Sequence, residues 1–377
     1  MRVIRELRLL IITFDPPESV GGVEGRAIGY VRQLRRTGKV VEIASFAPSV
    51  KPFVEQFQGG GEIHRFSSKI SSVPRSLLAI IKMMHSKRID TVFFLSGGVT
   101  LYGNLLLFFC KFTGVRSAIF TYGKDTLTAR HGFASRGFLG VAQFLADKVV
   151  VNSMFTSTLL LGRTRKVAIL YPGVDASVMR IPEDGQTAKD TILFVGRLVE
   201  RKGVGDLLDA LSLLKDDLPA LRLEVVGNGP ERTKLESKAD ELGLAKRVTF
   251  FGELRGAELY RRYAKCTLFA MPSKTLSDDV EGFGTVFLEA GLFAKPSVGT
   301  RSGGIPEAVL DGKTGILVNE GDVSGLAAAL KNLLVNADLA RTLGDNARER
   351  VLQGFTWEVG TRQLVRILEE QTGTPNR

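Results

Sequence analysis

Two glutamates, with seven residues between them, stand in the stretch DDVEGFGTVFLEAGLFAKP, residues 278–296. Glu281 precedes a Gly-Phe-Gly turn, and Glu289 lies among apolar residues. Because an unpaired carboxylate is costly to bury, Glu289 needs a partner. Two hydroxyls of a ribose or sugar would each donate a hydrogen bond to it. The alternative is an ion pair between Glu289 and a nearby arginine or lysine.

The helix that carries Glu289 is predicted to begin near Thr285. The backbone N–H groups of Phe283, Gly284 and Thr285 would then have no acceptor within the helix. A helix N-terminus also carries partial positive charge. We therefore expect these groups to receive oxygens of a phosphate or a sugar.

Two cations lie in the loop GRLVERKGV, which follows the apolar run ILFV. Arg197 could bind a phosphate through two hydrogen bonds, and Lys202 adds a compact charge. This pair is a candidate phosphate site. The alternative is a pair of solvated surface cations.

Two glycine-rich loops are weaker signals. Gly21 and Gly22 in SVGGVEG lack a Cβ, so a ligand could approach their backbone closely. The stretch VVGNGPE holds half of a dinucleotide-binding fingerprint, without the third glycine. For both loops the alternative is a tight turn between a strand and a helix.

Short apolar runs alternate with helical patterns along the whole chain, which predicts parallel sheets covered on both faces. The stretch YPGVDASVMRIPEDGQTAKD has weak periodicity and serves as the linker. We predict an α/β protein with Rossmann-like domains at 1–172 and 173–355. A C-terminal helix in 356–377 is expected to pack back toward the first domain.

Composition describes an ordinary globular protein of 377 residues, with 44% hydrophobic and 24% charged residues. The two cysteines, Cys110 and Cys266, lie far apart among apolar residues, which indicates a reducing compartment. The three histidines have no metal-ligand spacing. We find no signal peptide and no membrane-spanning run.

The net charge of +11 is concentrated in the first half. Residues 1–172 hold 24 basic and 10 acidic residues, a net of +14, and the remainder holds 27 and 30, a net of −3. This asymmetry favours an anionic partner, with a solvated basic surface as the alternative. Nucleic acid is not expected, because no recognised module and no interleaved aromatic residues accompany the basic ones.

The motifs together resemble the retaining glycosyltransferases of family 4, which have the GT-B fold. The stretches that carry the resemblance are GGVEGRAIGYVRQLRRTGKVVEIAS, GRLVERKGVGDLLDALSLL, VVGNGPER, VTFFGEL and EGFGTVFLEAGLFAKPSVGTRSGGIPEAVLDGKTGILV. They cover nearly the whole chain in the family's order. The resemblance implies two Rossmann-like domains facing a deep interdomain cleft.

The resemblance also implies a nucleotide-diphospho-sugar donor, UDP- or GDP-hexose, bound in that cleft. Arg197 and Lys202 would hold the diphosphate, with Gly22 against it from the other domain. Glu281 would contact the donor sugar beside the backbone of 283–285, and Glu289 the ribose hydroxyls.

The implied reaction is retaining hexosyl transfer by front-face attack, in which the leaving phosphate assists deprotonation of the acceptor. We expect no metal and no cofactor beyond the donor, since positive charge from Arg197 and Lys202 can stabilise the leaving diphosphate. Asp278 and Asp279 lie near the site but form no Asp-x-Asp motif. The alternatives are a sugar-nucleotide-binding protein without catalysis and a GT-B sugar-nucleotide epimerase.

One departure from the family lies in the first domain, where members commonly carry a histidine. The corresponding stretch is FTYGKD, with Tyr122 in its place. A tyrosine titrates far above neutral pH, so a role there is positioning rather than acid–base chemistry. His131, in TARHGF, is the other acceptor-side candidate, and the alternative is a loop histidine without function.

The basic first domain suggests a lipid-linked or other anionic glycan acceptor. Residues 74–88, PRSLLAIIKMMHSKR, combine apolar and basic residues and could lie on an anionic membrane surface. The alternative is an ordinary packing helix. We expect a cytoplasmic protein, placed at the inner membrane face if the membrane interpretation holds.

Overall fold

The structure is a computed structural model, which describes residues 7–14, 22–47, 53–56, 61–123, 126–127, 132–162, 166–180 and 190–370. The described residues divide into two compact units. One unit extends to Gly173 and resumes at Trp357, and the other is Val174–Thr356.

Within the described ranges, the sheet of the first unit has eight strands: β1 Arg8–Thr13, β2 Val40–Ala47, β3 Phe53–Gln56, β4 Glu62–Ser67, β5 Thr91–Phe94, β6 Arg116–Thr121, β7 Lys148–Val151 and β8 Val167–Ile169. Their order is β3-β4-β2-β1-β5-β6-β7-β8. Every neighbouring pair is parallel except the edge pair of β3 and β4, which is antiparallel.

Before Gly173, the helices of the first unit within the described residues are α1 Gly22–Arg36, α2 Val73–Ser86, α3 Leu101–Thr113, α4 Phe133–Leu145 and α5 Met154–Thr158. The central strand β1 shows why the sheet is covered on both faces. Leu10 and Ile12 lie in one apolar core and Leu9 and Ile11 in a second, because successive side chains of a strand point to opposite faces. Such a strand reads as a continuous apolar run.

The sheet of the second unit has six strands: β9 Thr191–Val195, β10 Arg222–Val226, β11 Val248–Gly252, β12 Leu268–Met271, β13 Ser297–Thr300 and β14 Gly315–Val318. Their order is β11-β10-β9-β12-β13-β14, and all neighbours are parallel. The chain winds outward in one direction from β9 and in the other from β12. Ligands of open α/β sheets bind beyond the carboxyl ends of the strands at such a switch point.

The helices of the second unit are α6 Val204–Leu214, α7 Arg232–Glu241, α8 Gly256–Lys265, α9 Thr285–Leu292, α10 Ile305–Ala308, α11 Val323–Val335 and α12 Ala337–Gly354. The final helix, α13 Trp357–Glu369, belongs to the first unit and packs on α1. There the Trp357 ring meets Tyr30 edge-on, with 5.2 Å between ring centroids. A Cβ added at Gly29 would overlap the Trp357 ring, so this position of α1 needs glycine.

Helix α2 contains most of the segment that the sequence offered as a membrane-surface candidate. Ile80, Met83 and Met84 are buried in the first core, whereas Leu78 is exposed. The apolar face of α2 is therefore used for packing, as the alternative interpretation held. Among the described residues, none of the helices combines the length and hydropathy that crossing a bilayer requires.

Candidate functional site

The site of the second unit is built on the loops that leave β9 and β12, the two strands at the switch point. The loop after β9 carries Arg197 and ends in a short 3-10 helix, Glu200–Lys202. The loop after β12 carries Glu281 and leads into α9. Neighbouring parallel strands thus bring Lys202 and Glu281 together from positions 79 residues apart in sequence.

Glu281 is the centre of an ion cluster. Its Oε2 atom accepts hydrogen bonds from Lys202 Nζ at 2.5 Å and from Arg201 Nη1 at 2.8 Å. Arg201 Nε also contacts Asp279 Oδ2 at 2.9 Å. The side chains of Arg201, Lys202 and Glu281 are only 12–14% exposed, so solvent screens these interactions little.

The cluster decides the ionisation of Glu281. Burial by itself raises the pKa of this carboxyl, but the charges and hydrogen bonds of Lys202 and Arg201 outweigh it and lower the pKa to about 2. Glu281 is therefore a fixed anion at neutral pH. It can accept a hydrogen bond from a hydroxyl but holds no proton to give.

Lys202 and Arg197 differ in environment. Lys202 is buried against Glu281 and also lies 3.4 Å from Met271 Sδ, so it is not the solvated surface cation of the alternative interpretation. An ammonium group has three donors, and these two contacts leave one for a phosphate oxygen. Arg197 is exposed, and within the described part of the chain its guanidinium has no ion-pair partner. It is therefore available to an anion.

The glycines of VVGNGPE support the loop of Arg197. A Cβ at Gly227 would overlap the carbonyl oxygen of Gly196, and one at Gly229 would overlap that of Leu198. The backbones are joined by Leu198 N–H donating to Asn228 O at 2.9 Å. The half fingerprint thus makes close backbone contacts with the Arg197 loop, in the connection between β10 and α7.

A second pair of glycines supports Glu281 in the same way. A Cβ at Gly303 would overlap the carbonyl oxygen of Glu281, and one at Gly304 would overlap that of Gly282. Gly304 N–H donates to Glu281 O at 2.9 Å. The SGGIPE stretch after β13 therefore fixes the backbone that carries the carboxylate.

Helix α9 begins at Thr285, as predicted. Its cap, Gly284, has φ 88°, a left-handed conformation that glycine adopts without strain. The backbone N–H groups of Gly284 and Thr285 have no acceptor among the described residues. The Phe283 side chain is buried, with its ring 5.9 Å from that of Phe355, so it anchors the turn.

Glu289 is paired with a tyrosine and not with a cation. The hydroxyl of Tyr263, a fully buried residue of α8, donates to Glu289 Oε2 at 2.8 Å. Within the described residues Glu289 forms no ion pair with an arginine or lysine, and its partner there is this tyrosine. Burial raises the pKa of Glu289, and the Tyr263 hydrogen bond opposes the rise. One carboxylate oxygen, Oε1, is left for a ligand.

The candidates of the first unit are only partly described. Gly21 and His131 lie outside the described residues, and Gly22 is the first residue of α1. Tyr122 follows β6 and its hydroxyl donates to Leu95 O at 3.1 Å. That bond holds the phenol at the carboxyl edge of the sheet.

Arginine 26 faces the Tyr122 ring and was not expected from the sequence. Its guanidinium carbon lies 5.0 Å from the centroid of Tyr122 and 5.7 Å from that of Phe120. The residue is 7% exposed, and its Nε and Nη1 atoms have no hydrogen-bond partner among the residues that the structure describes. Arg26 is thus a buried cation at this edge to which an anionic group would be attracted.

Sequence reasoning also missed Arg201 and Tyr263. Arg201 stands in the run ERK, which looks like a solvated charge run, and only the fold shows that it faces Glu281. Tyr263 is 26 residues from Glu289, and no local pattern links them. Within the described residues, no three His, Cys, Asp or Glu side chains are grouped as a metal ion would require.

Comparison with known proteins finds a family match within the second unit and relatives that align with nearly the whole chain. Residues 180–350 match the family model of the glycosyl transferases group 1. The GDP-mannose-dependent alpha-(1-6)-phosphatidylinositol monomannoside mannosyltransferase of Mycolicibacterium smegmatis is 29% identical over 96% of this chain and 98% of its own. The sulfoquinovosyl transferase SQD2 of Arabidopsis thaliana is 28% identical over 94% of this chain and 72% of its own.

Solved structures share the architecture. Anabaena HepE, in complex with UDP, has a TM-score of 0.79 at 21% identity and covers 97% of this chain and 100% of its own. The sucrose-phosphate synthase of Thermosynechococcus elongatus also has a TM-score of 0.79, at 20% identity, with 97% and 99% covered. The predicted fold class, two Rossmann-like parallel-sheet domains of the GT-B type, is confirmed.

Proposed function

We propose that the chain, which matches the group 1 glycosyl transferases over residues 180–350 and has the GT-B fold, catalyses retaining transfer of a hexose from a nucleotide-diphospho-sugar. The acceptor is a hydroxyl of a lipid-linked or other anionic glycan. The observation that carries the proposal is the contact between Lys202 and the ionised Glu281, beside the exposed Arg197.

In the proposed complex, Arg197 and the remaining donor of Lys202 bind the diphosphate. The sugar lies against Glu281, whose carboxylate accepts a hydrogen bond from a sugar hydroxyl. The Gly284 and Thr285 N–H groups at the start of α9 face the same anionic ligand. Glu289 accepts from the ribose hydroxyls through the oxygen that Tyr263 does not use.

The proposed chemistry breaks the bond between the anomeric carbon and the diphosphate oxygen. The bonding electrons go to the phosphate, and the sugar gains oxocarbenium character. Arg197 and Lys202 stabilise the negative charge that develops on the diphosphate, which is commonly the largest contribution to catalysis. The acceptor oxygen then bonds to the anomeric carbon from the same face, and its proton passes to the leaving phosphate. No metal or cofactor takes part in the proposed reaction.

GDP-mannose is the first donor to test, because the relative from Mycolicibacterium smegmatis is named for it. UDP-glucose is the second, since HepE has been solved with UDP-glucose. The name of the first relative also makes phosphatidylinositol mannosides the first acceptors to test.

The test begins with thermal unfolding in the presence of GDP, UDP, ADP and their hexose conjugates. A ligand that binds the folded state raises the melting temperature. We expect one nucleotide to do so and Glu289→Ala to abolish the effect. Transfer of labelled hexose from that donor is then measured with lipid-linked acceptors. Nucleotide binding without any transfer would favour a binding protein and contradict the proposal.

A further inference from the structure

Helices α3 and α4 of the first unit expose a row of large apolar side chains. We call this surface the apolar stripe. Its members are Leu101, Leu105, Phe108 and Phe112 of α3 with Phe133, Val141 and Phe144 of α4.

The α3 members of the stripe lie on one face of the helix. On α3 its members are spaced by four, three and four residues, which places them on one face. The opposite face of α3, with Leu106 and Leu107, is buried in the core of the sheet. The buried Asn104 of α3 donates to Phe138 O of α4 at 3.2 Å and joins the two helices side by side.

The exposure is large for aromatic residues. Phe112 is 75% exposed, Phe144 77% and Phe133 97%. The rings of Phe108 and Phe112 lie 4.5 Å apart, so they form one apolar surface. Contiguous apolar patches of this kind mark interaction surfaces, whereas single exposed apolar residues do not.

The two helices that carry the stripe are positively charged. Lys111 is the charged residue of α3 and Arg136 that of α4, and neither helix contains an acidic residue. Arg136 is exposed, and within the described ranges its guanidinium has no ion-pair partner. Asp147, which follows α4, is already paired with Lys111 at 3.6 Å and accepts from Ser117 N–H at 2.9 Å.

The combination of exposed phenylalanines and positive charge discriminates between occupants. A second copy of the chain would bring two positive surfaces together, which is unfavourable. An anionic lipid bilayer offers an apolar interior to the rings and negative headgroups to the basic residues. We propose that the apolar stripe of α3 and α4 docks the protein on an anionic membrane surface.

This surface differs from the segment at 74–88, whose apolar face is used for packing on the core. The docking does not depend on the transfer chemistry, because vesicle binding can be measured without donor or acceptor. Its one link to the proposed function is that a lipid-linked acceptor would lie in the same membrane on which the stripe docks.

The test is co-flotation of the full chain with vesicles of phosphatidylcholine alone or of equal parts phosphatidylcholine and phosphatidylglycerol. We expect binding to the mixed vesicles at low salt, and weaker binding at high salt. The double variant Phe112→Ser, Phe144→Ser should bind on the order of ten-fold more weakly or worse, since two rings leave the bilayer.

The matched control is Leu213→Ser with Val335→Ser, which changes two side chains of the second unit that are 59% and 62% exposed. Its vesicle binding should equal that of the wild type. Both double variants should keep the wild-type melting temperature, because the replaced side chains are exposed. Equal binding of wild type and the Phe112→Ser, Phe144→Ser variant would overturn the proposal, as would equal binding to neutral vesicles. Light scattering that shows a dimer dispersed by that variant would assign the stripe to a second copy instead.

Discussion

Glu281 is a buried carboxylate whose Oε2 atom contacts Lys202 and Arg201 at the same time. In the proposed complex this arrangement has two roles. It keeps an anion beside the donor sugar, and it holds Lys202 where a diphosphate oxygen can reach it. Because Lys202 and Arg201 lower the pKa of Glu281, this residue also makes the free energy of unfolding depend on pH.

The pKa of Glu281, about 2 in the folded chain against 4.5 for an unperturbed glutamate, predicts the direction of that linkage. A lowered carboxyl pKa stabilises the folded state above the unfolded value and ceases to do so as pH falls through the folded value. The wild type should therefore lose on the order of 3 kcal/mol between about pH 4.5 and pH 2 from this group.

Glu281→Gln should remove this loss, which is measured by urea unfolding across that pH range. The matched control is Glu253→Gln, because Glu253 is an exposed residue of the same unit with a loose 3.7 Å pair to Arg255. Glu253→Gln should follow the wild-type pH dependence. A Glu281→Gln curve parallel to that of the wild type would contradict the assignment.

The hydrogen bond between Tyr263 and Glu289 predicts a second pH dependence. Burial raises the pKa of Glu289, so its ionisation costs more free energy than that of an exposed glutamate, and the Tyr263 hydroxyl offsets part of that cost. Tyr263→Phe should destabilise the protein by about 1–3 kcal/mol near neutral pH. The loss should be smaller below about pH 4, where the carboxyl is protonated.

Tyr260→Phe is the control for this prediction. Tyr260 lies on the same helix as Tyr263, and no hydrogen bond from its hydroxyl to Glu289 is formed. Its loss of stability should not depend on pH in this range. Chemical unfolding at the two pH values gives the comparison, and an equal loss for Tyr263→Phe at both would show that the bond to Glu289 contributes nothing.

At the scale of elements, the site depends on backbones that approach one another too closely for a side chain. Gly303, with φ 52°, meets the carbonyl of Glu281, whereas Gly312, with φ 68°, has no atom within 4 Å of an added Cβ. Both residues have positive φ, so an alanine at either costs about 1 kcal/mol in backbone strain.

The added methyl group of Gly303→Ala should overlap the backbone of Glu281, whereas that of Gly312→Ala meets no atom. We expect Gly312→Ala to retain nucleotide binding, and Gly303→Ala to weaken it by about ten-fold or more, because displacing Glu281 also displaces Lys202 from the diphosphate. Isothermal titration with the nucleotide found in the thermal screen measures both. Similar affinities for the two variants would show that the SGGIPE stretch does not position Glu281.

Strands and helices could be predicted from the sequence where their buried faces leave a regular pattern of apolar residues. Apolar runs such as LRLLIITF identify parallel strands, and the predicted start of α9 near Thr285 is confirmed. The antiparallel edge strand β3, FVEQ, was not predicted, because it is short and half polar. Arg201 and Arg26 were not identified either, since the partners that define them come from other elements and only the fold brings them near.

At the scale of the whole molecule, the boundary between the basic and the slightly acidic part of the chain lies close to the boundary between the two units. The excess positive charge lies in residues 1–172, and the motif-rich part matched by the family model begins at residue 180. We propose that the second unit binds the nucleotide-sugar donor and the first unit the anionic acceptor. The GT-B fold was predictable because strand and helix alternate throughout, whereas the choice of hexose is made by hydroxyl geometry that no sequence pattern encodes.

The most direct test of hexosyl transfer by this site is proton NMR of the product formed from GDP-mannose, or from the donor that the thermal screen selects, with a phosphatidylinositol mannoside acceptor. Wild type, Lys202→Met and the control Lys331→Met are compared, since Lys331 pairs with Asp217 on the exposed surface of the same unit. We predict a product with the anomeric configuration of the donor, formed at wild-type rate by Lys331→Met and about 10²–10³-fold more slowly by Lys202→Met. An inverted product, or equal rates for the two lysine variants, would contradict the proposed role of Lys202 and the retaining reaction.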